Sequence, residues 1–137
     1  MNRQQLQSKL SKVSTKLMQE KGFIAFVDVF MEMGYLEPKE YENWRMKRVP
    51  CLERVITANL NKISFIMKTL RRNCRNGNCR ESWTAYHSWG KGKKVPLRFS
   101  KSGEPAIEEA YATHFLKPKP AYAREKSSQT DNTESVE

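Results

Sequence analysis

From Pro50 to Arg72 the chain places large apolar residues at helical intervals: Leu52, Val55, Ile56, Leu60, Ile63, Ile66, Met67 and Leu70. At 100° per residue these side chains form one wide face. The spacing predicts a helix from Pro50 to Arg72, about 34 Å long at a rise of 1.5 Å per residue. Pro50 disfavours helix at Val49 and suits a first helical turn. The segment "NCRNGNCRE", with Asn, Gly and no large apolar side chain, ends the helix. Asn59 is a polar residue on the apolar face. It either fixes register in a helix dimer or sits at a notch beside a local hydrogen-bond partner.

The rest of the chain is expected to pack around this spine. Leu6, Leu10, Val13 and Leu17 make a narrow stripe on a first helix, which Gly22 stops by adopting a left-handed conformation. Phe23, Phe26, Val27 and Phe30 share a face of a second helix running to Met33, with Gly34 after it. Pro38 opens a short third helix carrying Tyr41 and Trp44. "SWTAYHSW" and "VPLRFS", joined by the turn "GKGKK", read as a hairpin, with Pro96 on an edge strand because it cannot donate to a ladder. "AIEEAYATHF" reads as a last helix with Ile107, Tyr111 and Phe115 inward. The fold class expected is α+β and mostly helical: four N-terminal helices including one long central helix, a β-hairpin, and a short C-terminal helix. Residues 1–116 form one compact domain in this reading. Residues 117–137, polar and poor in large apolar side chains, form a disordered tail.

Charge is uneven along the chain. The 137 residues carry 25 basic and 15 acidic side chains, a net +10. Residues 51–103 alone hold twelve basic and two acidic side chains, so the excess belongs to the middle of the chain. Such a field attracts phosphate backbones, anionic membranes or acidic proteins. "GFIAFVDVFMEMG" is too short for a bilayer and contains Asp28 and Glu32. Three cysteines (Cys51, Cys74, Cys79) and no apolar leader point to reduced thiols and a soluble, cytoplasmic protein.

The basic residues suggest a surface. Arg71, Arg72, Arg75 and Arg80 flank the loop after the long helix, and Lys91, Lys93, Lys94 and Arg98 lie in the hairpin. They are the candidate phosphate contacts. Trp83, Tyr86 and above all Trp89 are candidate stacking platforms. The plainer reading packs the tryptophans on the long helix and leaves the lysines as a solvated edge guard. Phe65, among basic residues on the far side of the long helix, either stacks on a base or docks a partner, or belongs to a second packed face. The leading expectation is therefore non-enzymatic binding of nucleic acid, DNA or RNA. The alternative is a protein-interaction module with an acidic or helical partner, as monomer or homodimer.

Other chemistry is poorly served. A helix-turn-helix would present Glu37, Glu40 and Glu42 to phosphate, which repels them. Cys74 and Cys79 make one loose pair, and His87 and His114 lie where packing explains them, so no metal and no cofactor is expected. Glu108 and Glu109 project about 100° apart on a helix and make a poor dyad. They suit the helix N-terminus instead. The glycines of "WGKGKK" join two strands and open no helix, unlike a nucleotide-binding loop.

Two stretches, "YENWRMKRVPCLERVI" and "LRFSKSGEPAIEEAYATHF", resemble segments of a family of small bacterial proteins to which no activity is attached. The resemblance covers much of residues 22 to 116. It implies a bacterial cytosolic origin and one compact domain, and transfers no function.

Overall fold

A computed structural model describes residues 2–118. The tail expected at 117–137 lies outside them apart from Lys117 and Pro118. The described residues contain five helices and a three-stranded antiparallel sheet, with 53% of those residues helical and 11% strand. The protein is thus α+β and mostly helical.

Helix α1 (Arg3–Lys21) buries the stripe Leu6, Leu10, Val13 and Leu17. A capping box starts it: the Asn2 side chain accepts from the Gln5 amide at 2.8 Å, and the Gln5 side chain accepts from the Asn2 amide at 3.0 Å. Gly22, at φ 81°, ends it. The chain then forms strand β1 (Phe23–Ala25) before helix α2 (Phe26–Glu32), so the expected helix at Phe23 starts three residues late. Helix α3 (Pro38–Arg45) places Pro38 in its first turn and buries Trp44.

The central helix is shorter than its apolar periodicity implies. Helix α4 runs Leu60–Asn76, and Asn59 is its N-cap, accepting from the Lys62 amide at 2.8 Å. The polar residue on the apolar face is therefore a helix start. Upstream, Leu52–Arg54 forms one 3-10 turn; Leu52 is buried from this turn and Ile56 from the irregular backbone after it. Distant partners hold this segment. The Leu52 and Glu53 amides donate to the Arg98 and Phe99 carbonyls at 3.2 and 2.9 Å, and the Thr57 amide donates to the Tyr35 carbonyl at 2.8 Å.

Strand β2 (Arg80–Trp83) follows α4, and helix α5 (Pro105–Ala112) leads directly into strand β3 (Thr113–Leu116). The last helix thus stops three residues before Phe115, which is buried from a strand. Ile107, expected inward, is exposed. Strand β3 lies between β1 and β2, pairing Ile24 with Phe115 and Glu81 with Phe115. The hairpin beyond Trp83 is only loosely laddered. One bridge, His87 to Pro96, and the bonds Leu97 N–H to Tyr86 carbonyl (2.7 Å) and Ser88 N–H to Val95 carbonyl (2.9 Å) close it.

An aromatic core joins the hairpin to the helices. Trp44 packs against Tyr86 and Phe99, with ring centroids 5.5 and 5.3 Å away, and Phe99 stacks on Tyr111 at 5.4 Å. The Trp44 indole N–H donates to the Arg98 carbonyl at 2.8 Å. Two carboxylates lock the return arm of the hairpin. Glu108 accepts from the Phe99 amide, the Ser100 amide and the Ser100 hydroxyl at 2.9, 2.7 and 2.5 Å. Glu53 accepts from the Lys101 amide at 2.8 Å and the Tyr111 hydroxyl at 2.6 Å. Glu108 is therefore a structural acceptor for buried donors that would otherwise be unpaired.

Candidate nucleic-acid interface

The hairpin tip is seated on the C-terminal end of α3. The Trp89 amide donates to the Arg45 carbonyl at 2.7 Å. Gly90, at φ 93°, lies so close to the Met46 side chain that a Cβ there would sit 3.4 Å from the methionine methyl. Lys47, at φ 63°, turns the chain out of the helix. These contacts bring two basic segments side by side: Arg45, Lys47 and Arg48 from the end of α3, and Lys91, Lys93 and Lys94 from the loop.

Five of these six cations are exposed, and Arg45 is half-buried. Lys94 donates to the Gly90 carbonyl at 2.6 Å, and Arg48 donates to the Asn43 side chain at 3.1 Å. The ion pairs among the described residues are Lys16–Glu32, Lys21–Asp28 and Arg75–Glu81, so no carboxylate pairs with any of the six. Glu42 is the exposed acid nearest in sequence, on α3 itself.

Arg45 is held among aromatic rings. Its guanidinium carbon lies 4.8 Å from the Trp89 ring centroid, 5.1 Å from that of Tyr86 and 5.8 Å from that of Tyr41. Its Nε is buried and has no hydrogen-bond partner among the described residues. Attraction to the ring faces stands in for that missing partner. Trp89 itself is 43% exposed and meets Tyr41 at 5.7 Å with ring planes 86° apart.

The other predicted contacts sit elsewhere or are engaged. Arg71, Arg72, Arg75 and Arg80 belong to the last turns of α4 and the start of β2. Arg80 pairs opposite Leu116 at one end of β3, whereas the hairpin departs beyond Trp83, opposite Thr113 at the other end. Arg75 is paired with Glu81 at 2.8 Å, which raises its pKa further. Arg80 Nε donates to the Lys117 carbonyl at 3.0 Å. Arg98 folds back on its own turn, donating to the Ser100 and Lys101 carbonyls at 2.9 and 3.4 Å. Phe65 is half-buried at the edge of the core, with the Arg3 guanidinium carbon 4.8 Å over its ring.

Of the aromatic candidates, Tyr86 is half-buried and packs against the core. Its hydroxyl is 3.1 Å from His114 Nε2, and burial raises its pKa. Trp83 is 57% exposed but borders a different cleft, of about 410 Å³, together with Leu97, Glu108, Glu109 and Ala112. Arg45, Lys47 and Arg48 escaped the sequence reading because residues 1–50 as a whole are nearly balanced in charge. The signal was the local run "WRMKRVP", which carries three cations and no acid.

Comparison with protein-family models, with curated proteins and with solved structures returned no match.

The cysteines and His114 are packed, whereas His87, expected to be explained by packing, is exposed and contributes a backbone bridge to Pro96. The Cys79 amide donates to the Cys74 carbonyl at 2.9 Å and the Asn78 amide to the Arg75 carbonyl at 3.1 Å, with Asn78 left-handed at φ 63°. This pattern is a Schellman end to α4, and it sets the two cysteines against each other. Burial, then the neighbouring Cys79, pushes the Cys74 thiol up to about 12, so it stays protonated. No three His, Cys, Asp or Glu side chains among the described residues gather as a metal site. No described helix is long and apolar enough to cross a membrane.

His114 stacks on Phe23 at 5.1 Å, and burial lowers its pKa from the ordinary 6.5, with Asp28 opposing and Lys21 assisting. The unfolded chain therefore binds this proton more readily than the folded one. The stabilisation is complete above about pH 6.5 and is lost as pH falls towards the folded pKa. Melting scans at about pH 7.5 and 5.5 should show a lower midpoint at the acid value, and His114→Gln should shrink that difference.

Proposed function

We propose that this protein is a non-enzymatic nucleic-acid-binding protein. Its phosphate contacts are Lys47, Arg48, Lys91, Lys93 and Lys94. One observation supports the reading above the others: the Trp89–Arg45 backbone bond joins two basic segments around an exposed indole, and no ion pair among the described residues neutralises them. Nucleic acid is the polyanion favoured, because a flat aromatic among cations can meet bases as well as phosphates.

The test is affinity for labelled DNA and RNA of mixed sequence across a range of salt. Five phosphate contacts predict a slope of log K against log salt between about −3 and −5. Flat or absent binding rejects the proposal.

A second reading, a protein-interaction module, rests on Trp83 and its cleft beside Leu97 and Ala112. Purification accompanied by a stoichiometric polypeptide, with no nucleic-acid carry-over, would favour it.

A further inference from the structure

We infer that the preferred ligand is a single strand, with Trp89 stacking on an unpaired base and Arg45 acting as the positioning residue that holds the indole ready. This inference rests on the nucleic-acid reading above and narrows it.

Three features distinguish Trp89 from an incidental surface aromatic. First, its backbone is fixed to α3 by the 2.7 Å bond to the Arg45 carbonyl. Second, the Arg45 guanidinium lies over its ring at 4.8 Å and Tyr41 meets it at 86°, so the ring is supported from within the protein. Third, 43% of the residue still faces solvent. A supported ring with a free surface loses little rotamer entropy on binding, which favours affinity.

The shape of the partner follows from this surface. Inside a duplex both faces of each base are covered by its neighbours, so an indole reaches one only by unstacking it. A single strand offers base faces at small cost. Lys91, Lys93 and Lys94 follow Trp89 by two, four and five residues. The strand's phosphates can therefore lie along the loop while one base turns onto the ring. The positively charged guanidinium is enclosed by rings and has its Nε buried, so its work is to brace the indole.

The experiment compares a single-stranded oligonucleotide with its duplex, using the full chain, W89A, W89F and R45K. The single strand should bind at least several-fold more tightly than the duplex. W89A should lose about five- to a hundredfold in single-strand affinity while keeping its salt slope, since stacking releases no counterions. W89F should keep most of the affinity. R45K preserves charge but not the planar brace. It should weaken single-strand binding at unchanged salt slope and shift Trp89 emission in the free protein.

Fluorescence supplies a readout independent of variant stability. In a W83F background, quenching by the single strand should persist, because Trp44 is fully buried and Trp89 remains. Equal affinity for duplex and single strand, or undiminished quenching in a W83F/W89F double variant, overturns the inference and leaves phosphate binding intact. Absence of binding to any polymer at low salt overturns the underlying reading as well.

Discussion

Replacing Trp44 by Ala is expected to destabilise the fold by about 3–5 kcal/mol, among the largest effects of any single change in this chain. Trp44 is fully buried and touches Tyr41, Tyr86 and Phe99, so truncation leaves a cavity that three rings cannot collapse to fill. Its N–H also anchors the Arg98 carbonyl at 2.8 Å. That carbonyl keeps a second donor, the Leu52 amide at 3.2 Å, so loss of the indole bond alone is the smaller part. Urea titration followed by circular dichroism measures the shift. W44F separates the contributions, because it retains an aromatic ring without the N–H, and should cost less than half as much as W44A. A loss under about 1 kcal/mol for W44A would mean that the hairpin and α3 do not share one core.

The charge reversal K91E/K93E/K94E is expected to reduce nucleic-acid affinity by about a hundredfold or more near 0.15 M salt, and to lower the salt slope by about three. All three lysines are exposed, and among the described residues their one side-chain bond is Lys94 to the Gly90 carbonyl. The melting midpoint should therefore stay within a few degrees of the parent. A control comes from the other basic group: R72E, on an exposed position of α4, should leave affinity within about threefold. If R72E is as damaging as the loop reversal, the binding surface runs along α4 and β2, and the α3–hairpin assignment is wrong.

Local pattern carried much of the fold. The stripe of α1, its stop at Gly22 and the Pro38 start of α3 were legible because each depends on neighbours within one or two turns. The segment from Leu52 to Ala58 was misread for the opposite reason. Its apolar spacing is helical, but the Leu52, Glu53 and Thr57 amides donate to Arg98, Phe99 and Tyr35, partners that no local pattern reveals. Strands β1 and β3 were missed because three or four residues show no period. Phe23 and Phe115 also continue the helical spacing of the residues beside them. In the candidate site, the loop lysines and Trp89 were legible from composition. Their neighbours Arg45, Lys47 and Arg48 come from 40 or more residues earlier in the chain, and only the seating of the tip on α3 unites them.

The Glu108 clamp on Phe99 and Ser100 divides the hairpin into two mechanical regimes. Its base is fastened to α5 and to the Leu52–Arg54 turn, whereas among the described residues Lys91 to Lys94 are held by little beyond one lysine–carbonyl bond. At about 1–2 kcal/mol per residue of backbone fixed, a partner that closes on this tip immobilises only a handful of residues. The scaffold beneath them is already held by the Glu108 and Glu53 bonds, so most of the contact energy remains available for affinity.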